Sequence, residues 1–308
     1  MDVIFHADDF GITPEQSERI LATCGLWDGT GALNSLSVFA NSPRFEDCAR
    51  LLDGRPKGLR VGTHLNFVEG HCCADPRRLP LLTDESGMFR LGYGGLLKAS
   101  ASKAVASELR REVALETRAQ VSRMLERFPE LAAGVRLDGH QHTQLIPAVF
   151  RGVLDAASEE GWMLEYLRVP AEPTAPFLEP AVLKTVRPVN WVKHALLNSL
   201  WAHDERALAA SGLPPYRELS AVFCGVAFSG HMDAARVREV YPGLRKAAED
   251  RGMALELLFH PGRVTKAADC LNPALPGFVE FSCGEGRDVE WEALRSPELA
   301  ALAREARA

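Results

Sequence analysis

The sequence predicts an α/β fold in which parallel strands close into a barrel-like (β/α) domain, and two observations predict it. Short apolar runs alternate with helical patterns from one end of the chain to the other, the pattern expected of strands joined by helical crossovers. Aspartates and histidines recur just after those apolar runs, where parallel folds build their sites. About seven strand–helix units are counted, with no internal repeat, low-complexity tract or dividing linker, so residues 1–308 are read as a single domain. An open, doubly wound sheet is the competing arrangement.

The elements follow in order. Val3–His6 is the first strand; Pro14 suits the first turn of a helix that runs to about Trp27. Strand Ser35–Phe39 leads to a helix around Phe45–Leu52, and strand Leu59–His64 to an irregular insertion over about 66–100, with the flexible run Gly92-Tyr93-Gly94-Gly95. The longest amphipathic segment, Ala104–Phe128, offers Val105, Leu109, Val113, Leu115 and Val121 to the core and charges to the other face. A short strand, Val135–Leu137, precedes a helix over Val149–Glu160. Strand Glu165–Val169 gives way to a proline-bearing linker, Pro170-Ala171-Glu172-Pro173, and a helical region near Val189–Ala210. Strand Ala221–Val226, helix Ala234–Ala248, strand Ala254–Phe259 and a C-terminal helix over about 291–307 complete the pattern.

Composition narrows the class. Hydrophobic residues at 46% and charged residues at 25% suffice for a full core without covalent staples. The 35 basic and 41 acidic residues give a net charge of −6, with no basic stripe for nucleic acid and a balance that suits a neutral substrate. Seven cysteines, odd in number and without a Cys-x-x-Cys pair, indicate neither a disulfide framework nor a thiolate zinc site. The N-terminus lacks the basic and apolar regions of a signal peptide, and no run approaches the ~20 apolar residues that span a bilayer. A cytoplasmic protein that binds neither membrane nor nucleic acid is expected.

The chemistry lies where the strands end. Asp8-Asp9 follows the first strand, His64 ends the third, Asp138, His140 and His142 follow the fourth, and His260 follows the seventh. In an extended segment Asp138, His140 and His142 share a face, and a carboxylate beside a ligating imidazole is the usual outer partner of a metal site. Adjacent carboxylates point in different directions, so one of Asp8 and Asp9 can ligate while the other stays free as a base. Asp9, His64 and His140 together supply one carboxylate and two imidazoles and leave positions open for water and substrate. The same donors serve non-haem iron oxygenases, but the free Asp8 favours hydrolysis. Plainer roles exist for each residue alone: a helix cap for the aspartates, a core histidine for His64.

These stretches resemble the YdjC-like carbohydrate deacetylases, the ChbG/HpnK family. The resemblance is carried by His6-Ala7-Asp8-Asp9-Phe10-Gly11, Gly62-Thr63-His64-Leu65-Asn66, Leu137-Asp138-Gly139-His140-Gln141-His142 and His260-Pro261-Gly262. Weaker matches, among them Leu167-Arg168-Val169-Pro170 and Phe228-Ser229-Gly230, lie between them in the expected order. The resemblance implies a barrel like those of glycoside hydrolases and deacetylases, and metal-dependent removal of N-acetyl groups from chito-oligosaccharide-like amino sugars. It implies Asp9, His64 and His140 as metal ligands, Asp8 as general base, Arg168 to orient that base and His260 as the acid. Asp138 and His142 fall to supporting or substrate-binding roles. The family pattern has Asn where this chain has His6, Ser where it has Gly139, and a further histidine where it has Gln144.

A divalent ion is therefore the expected cofactor, magnesium by resemblance and zinc by the softness of two imidazoles. A small carbohydrate is the expected partner, and a homodimer is compatible with the resemblance. Tyr93, Phe67 and Trp191 are candidate sugar-stacking rings, and the insertion a candidate lid. Two other readings stay open: a metallo-hydrolase for phosphoesters or cyclic amides on the same scaffold, and a non-catalytic sugar-binding module with a structural metal.

Overall fold

The computed structural model describes residues 1–306. Seven strands lie in one sheet: β1 (Val3–Phe10), β2 (Ser35–Val38), β3 (Arg60–Leu65), β4 (Val135–Gly139), β5 (Leu164–Leu167), β6 (Ala221–Cys224) and β7 (Ala254–Phe259). Every pairing is parallel and the order is β5-β4-β3-β2-β1-β7-β6. Twelve α-helices are described: α1 (Pro14–Leu21), α2 (Phe45–Arg50), α3 (Tyr93–Ala101), α4 (Ala106–Arg127), α5 (Pro147–Glu159), α6 (Pro180–Leu183), α7 (Pro188–Ala209), α8 (Tyr216–Leu219), α9 (Ala234–Arg251), α10 (Pro276–Cys283), α11 (Gly286–Arg295) and α12 (Pro297–Glu305).

The sheet curls into a barrel open along one seam. Tyr166 of β5 and Ala221 of β6 pack with Ile4 of β1 in one interior cluster, and the Val169 N–H donates to Ser220 Oγ across the gap at 3.2 Å. No ladder pairs β5 with β6 among the described residues. Strand alternation divides the side chains. On β1, Val3, Phe5 and Ala7 face outward into the main apolar cluster, with Leu36, Val38, Leu255 and Leu257 beside them. The inward set, Ile4, His6 and Asp8, runs from apolar to charged along the strand. One end of the barrel interior is thus packed with hydrocarbon and the other is left for polar chemistry.

The seven strands stand where the apolar runs placed them, with differences that matter. β1 continues past His6 to Phe10, and its pairing with β2 slips between Ala7 and Phe10. Asp9 within that irregularity has φ +66, a left-handed backbone uncommon outside glycine. The kink explains how two successive carboxylates remain in the strand yet both reach the site.

Two loop and two helix expectations are corrected. The run Gly92–Gly95 is the cap and first turn of α3, and the insertion before it is tied to α4. Glu116 accepts N–H bonds from Cys73 and Ala74, and Glu112 from Leu81 and Leu82. Both glutamates are fully buried, so α4 is not polar outside and apolar inside as a simple amphipathic helix would be. Pro170–Pro173 is no free linker: Glu172 is buried, and its carboxylate accepts three successive N–H groups, from Gly225, Val226 and Ala227, at 2.6, 2.7 and 2.9 Å. The C-terminal helix starts earlier, at Gly286, and breaks at Ser296-Pro297. Proline has no N–H and pushes its predecessor out of helical conformation; Ser296 then caps α12, accepting from the Leu299 N–H. Arg307, the last residue expected in that helix, lies outside the described residues. No helix is long and apolar enough to cross a membrane among the described residues.

Candidate active site

At the C-terminal ends of the strands, Asp9, His64 and His140 meet. Asp9 Oδ1 lies 3.2 Å from His64 Nε2 and 3.1 Å from His140 Nδ1, and the two ring nitrogens are 3.4 Å apart. The opposite nitrogen of each ring faces a carboxylate. His64 Nδ1 lies 2.5 Å from Asp138 Oδ1, its neighbour across the β3–β4 ladder, and His140 Nε2 lies 3.1 Å from Glu69 Oε2. In the neutral rings a proton on those outer nitrogens would leave the inner ones as lone pairs directed at one point, the form in which the pair could ligate a cation. Arg287 of α11 pairs with the other Asp9 oxygen. Burial alone would raise the Asp9 carboxyl; the Arg287 charge and the His140 and His64 contacts outweigh it and hold the group well below the ordinary range. Burial lowers His64, but the surrounding Asp8 and Asp138 charges prevail and raise it to about 10. His140 is likewise raised, by Asp9 and Glu69 against burial.

Asp8 faces a second set. Arg168 Nη1 donates to both its oxygens, at 2.8 and 2.9 Å, while Arg168 Nε donates to Glu256 Oε1 at 2.8 Å. Tyr166 donates its hydroxyl to the same glutamate. Against a burial effect that would raise it, the Arg168 and His64 charges keep the Asp8 carboxyl far below its usual value. His6 Nε2 lies 3.2 Å from both Asp8 Oδ1 and Asp138 Oδ2, and its Nδ1 lies 2.8 Å from Ser35 Oγ. His260 approaches from the end of β7, with Nε2 3.9 Å from Asp8 Oδ2 and Nδ1 3.5 Å from Glu290 Oε2. The His260 backbone N–H also donates to Glu290, which fixes the ring's approach.

His142 stands apart from both sets. Gln141 and His142 are successive left-handed residues, φ +53 and +58, so the chain turns after His140 and His142 does not continue the alternation expected of Asp138 and His140. Its ring meets Phe223 edge-on at 5.6 Å. Burial, and then the Arg168 charge, push it down to about 3, so it is neutral.

A model of the YdjC-like protein family matches residues 2–305. The chain belongs to the YdjC-like family. Two curated relatives, each named carbohydrate deacetylase, come from Mus musculus, 29% identical over 95% of this chain and 85% of the relative, and from Homo sapiens, 29% identical over 96% and 82%. A chitooligosaccharide deacetylase of Escherichia fergusonii is 29% identical over 52% of this chain and 56% of its own. The crystal structure of an Enterococcus faecalis V583 protein named for cellobiose-phosphate cleavage superposes with a TM-score of 0.62 at 16% identity. It covers 99% of this chain and 94% of that one, and it supports the curled parallel fold.

Two of this YdjC-like chain's departures from the family pattern meet in space. A Cβ on Gly139 would stand 2.4 Å from Gln144 Oε1, so the missing side chain at one position makes room for the longer one at the other. A cavity of about 440 Å³ opens over the site, lined by Asp8, His140, His142, His260, Tyr93 and Phe281 among others. A larger, polar groove of about 660 Å³ between α2 and α4 holds none of the predicted residues. Phe67 is fully buried and Trp191 packs beside His194; neither lines the cavity, and of the three candidate rings only Tyr93 does. Sequence reasoning missed Glu69, Glu256, Arg287 and Glu290. Glu256 had a signal, a lone acid within the apolar run Ala254–Phe259; the other three lie outside strands and carry none.

Proposed function

We propose that this chain is a metal-dependent hydrolase that removes the N-acetyl group from amino sugars, with residues 1–308 working as one catalytic domain. One observation carries the reading: Asp9, His64 and His140 converge, with Asp8 beside them unshared by that set and open to the cavity. The donors fit a divalent ion. Their separations of 3.1 to 3.4 Å match the roughly 3.0–3.4 Å between ligands that each stand about 2.1 Å from a common ion. Charge agrees: Asp8, Asp9, Glu69, Asp138 and Glu256 are all buried there against the guanidinium groups of Arg168 and Arg287, and against burial the same carboxylates raise His64 and His140, a demand for positive charge that a cation held by Asp9, His64 and His140 would meet in place of the imidazolium protons. Bound there, a divalent ion supplies Lewis acidity to the acetamide carbonyl and to a water. Two imidazoles and one carboxylate favour zinc by ligand softness, and magnesium is the alternative that the family resemblance implies.

The chain's own residues supply the proton transfers. Asp8 is ionised and held by Arg168, ready to take a proton from the water that attacks the acetamide carbon. That ion pair also makes Asp8 a weak base, which its placement must offset. His260, steadied by Glu290, stands across from it to donate a proton to the departing amine nitrogen. Water adds across the C–N bond, and the products are acetate and a free amino sugar. Excluding bulk water from this buried set strengthens each of these charge interactions.

The test is acetate release from N-acetylglucosamine and its oligomers, with elemental analysis of the same sample. Asp8→Asn should lower turnover by about 10²–10⁴-fold and keep the metal. Full activity in that variant, or turnover of phosphoesters in place of acetylated sugars, would overturn the reading.

A further inference from the structure

We propose that Cys270 and Cys283 form a reversible disulfide that clasps α10 over the cavity, with a low-molecular-weight disulfide such as oxidised glutathione as the oxidant. The bridge does not depend on the deacetylase reading.

The two sulfurs are already in contact. Cys270 Sγ and Cys283 Sγ lie 3.7 Å apart, thirteen positions apart in sequence, and both are free thiols. A disulfide holds its sulfurs at about 2.05 Å, so a closing shift of about 1.7 Å makes the bond. The pair sits in a small apolar cluster with Ile12, Phe39, Val264 and Leu271, separate from the main core. An odd cysteine count argues against a disulfide framework and leaves room for one bridge that opens and closes.

The thiols bracket a strap, the loop after Cys270 together with α10, that is joined to the site along its length. The Asn272 N–H donates to Glu69 Oε1 at 3.3 Å, and Glu69 is the carboxylate behind His140. Phe278 stacks on His140 with ring centroids 6.1 Å apart, and Phe281 meets His260 edge-on at 5.1 Å. Arg287, which pairs with Asp9, donates from Nε to the Phe281 carbonyl at 2.9 Å. Gly277 and Phe281 line the cavity itself. Yet of α10 only Ser282 is buried, and a helix with so little buried surface opens at low cost. A covalent tie between the ends of the strap limits how far its open state can stray.

The exchange chemistry has a natural order. Cys283 is partly exposed, whereas burial and the contact with Cys283 push the Cys270 thiol up to about 12, so Cys283 reacts first. Its thiolate attacks one sulfur of the small disulfide and releases one small thiol. Cys270 then attacks the Cys283 sulfur of the mixed disulfide and releases the second. The two protein thiols lose two electrons, the small disulfide gains them, and the two protons leave on the two small thiols.

The test treats the native protein with oxidised glutathione, beside a Cys72→Ser/Cys73→Ser protein that lacks the other partly exposed thiols. Peptide mapping of both should find Cys270 joined to Cys283, and dithiothreitol should release the bond. Hydrogen exchange over α10 should slow about 10-fold on oxidation and recover on reduction, with no such change in Cys283→Ser. The oxidised and reduced native forms decide the matter if that variant fails to fold. In protein that releases acetate, kcat and KM should both fall about twofold or more on oxidation, as when a closed lid slows product release. The mapping and exchange readouts need no substrate, so a protein that releases no acetate sinks the deacetylase reading and leaves the bridge to be judged by them. A glutathione adduct that stays on Cys283 without the bridge overturns the proposal. So does a complete bridge that leaves α10 exchange or the kinetics unchanged.

Discussion

Asp8, at the floor of the cavity, and Glu172, under the loops, are both buried carboxylates, yet they sit in opposite electrostatic surroundings. At the barrel mouth, Asp8, Asp9 and Asp138 are buried and all are held low. In the layer of loops and helices around it, Glu116 and Glu172 are equally buried and are pushed up to about 7. Burial pushes every one of them the same way. The difference lies in the partners. The mouth carboxylates face guanidinium and imidazole groups, with Arg168 reaching Asp8, Asp138 and Glu256. Glu116 and Glu172 face only backbone N–H groups and a side-chain amide, which lower a pKa less than a full opposite charge. The first set is kept ionised by its cationic partners; the second ties loops to the scaffold.

Removing the charge at Asp8 tests the first half of this contrast most severely. Asp8→Asn should lower kcat by about 10²–10⁴-fold while elemental analysis finds the metal content of the native protein. Removing Arg168 attacks the same set from the other side. Arg168→Ala leaves Asp8, Asp138 and Glu256 buried without their cation and should cost about 3–5 kcal/mol of stability, read by chemical denaturation; a loss under 1 kcal/mol would mean that the arginine does not set their charge state. The carboxylates behind His64 and His140 come next. Asp138→Asn and Glu69→Gln should each weaken metal affinity or activity by about 10–100-fold, measured by titration of the metal-stripped protein.

The smallest effect separates the two sets by the sign of a pH dependence. Glu172 is raised from the ordinary 4.5 to about 7, so its stabilisation is full below about 4.5 and is lost as pH rises through 7. Glu172→Gln should therefore gain stability relative to native protein between pH 5 and 7.5 (roughly). Asp8 is lowered from 3.8, so its stabilisation is present above that value and is lost as pH falls below it. Denaturation midpoints of Glu172→Gln and native protein across this range decide the matter, and parallel curves would show that Glu172 is not raised.

Much of the site was legible because strand alternation and strand ends are local properties. His64 and Asp138 occupy adjacent strands and pair in register, and Asp8-Asp9 sits where the apolar run of β1 breaks into charge. Glu69, Arg287 and Glu290 were not legible. Glu69 comes from the loop after β3, and Arg287 and Glu290 from a helix nearly the whole chain away from Asp9. Nothing in their neighbours' periodicity marks them as different from surface charges. His142 misled for a related reason: extended alternation assigned it the face of His140, and a left-handed turn removed it.

By itself the amino-acid order determined the seven parallel strands, the positions of most helices, and the residue types gathered at the strand ends, since apolar periodicity and proline placement act over a few residues. The tertiary structure alone decided which carboxylates are charged and which imidazole nitrogens face inward. Those properties depend on the distance to groups such as Arg168, Glu256 and Arg287, and that distance exists only once the sheet has curled and brought remote segments together.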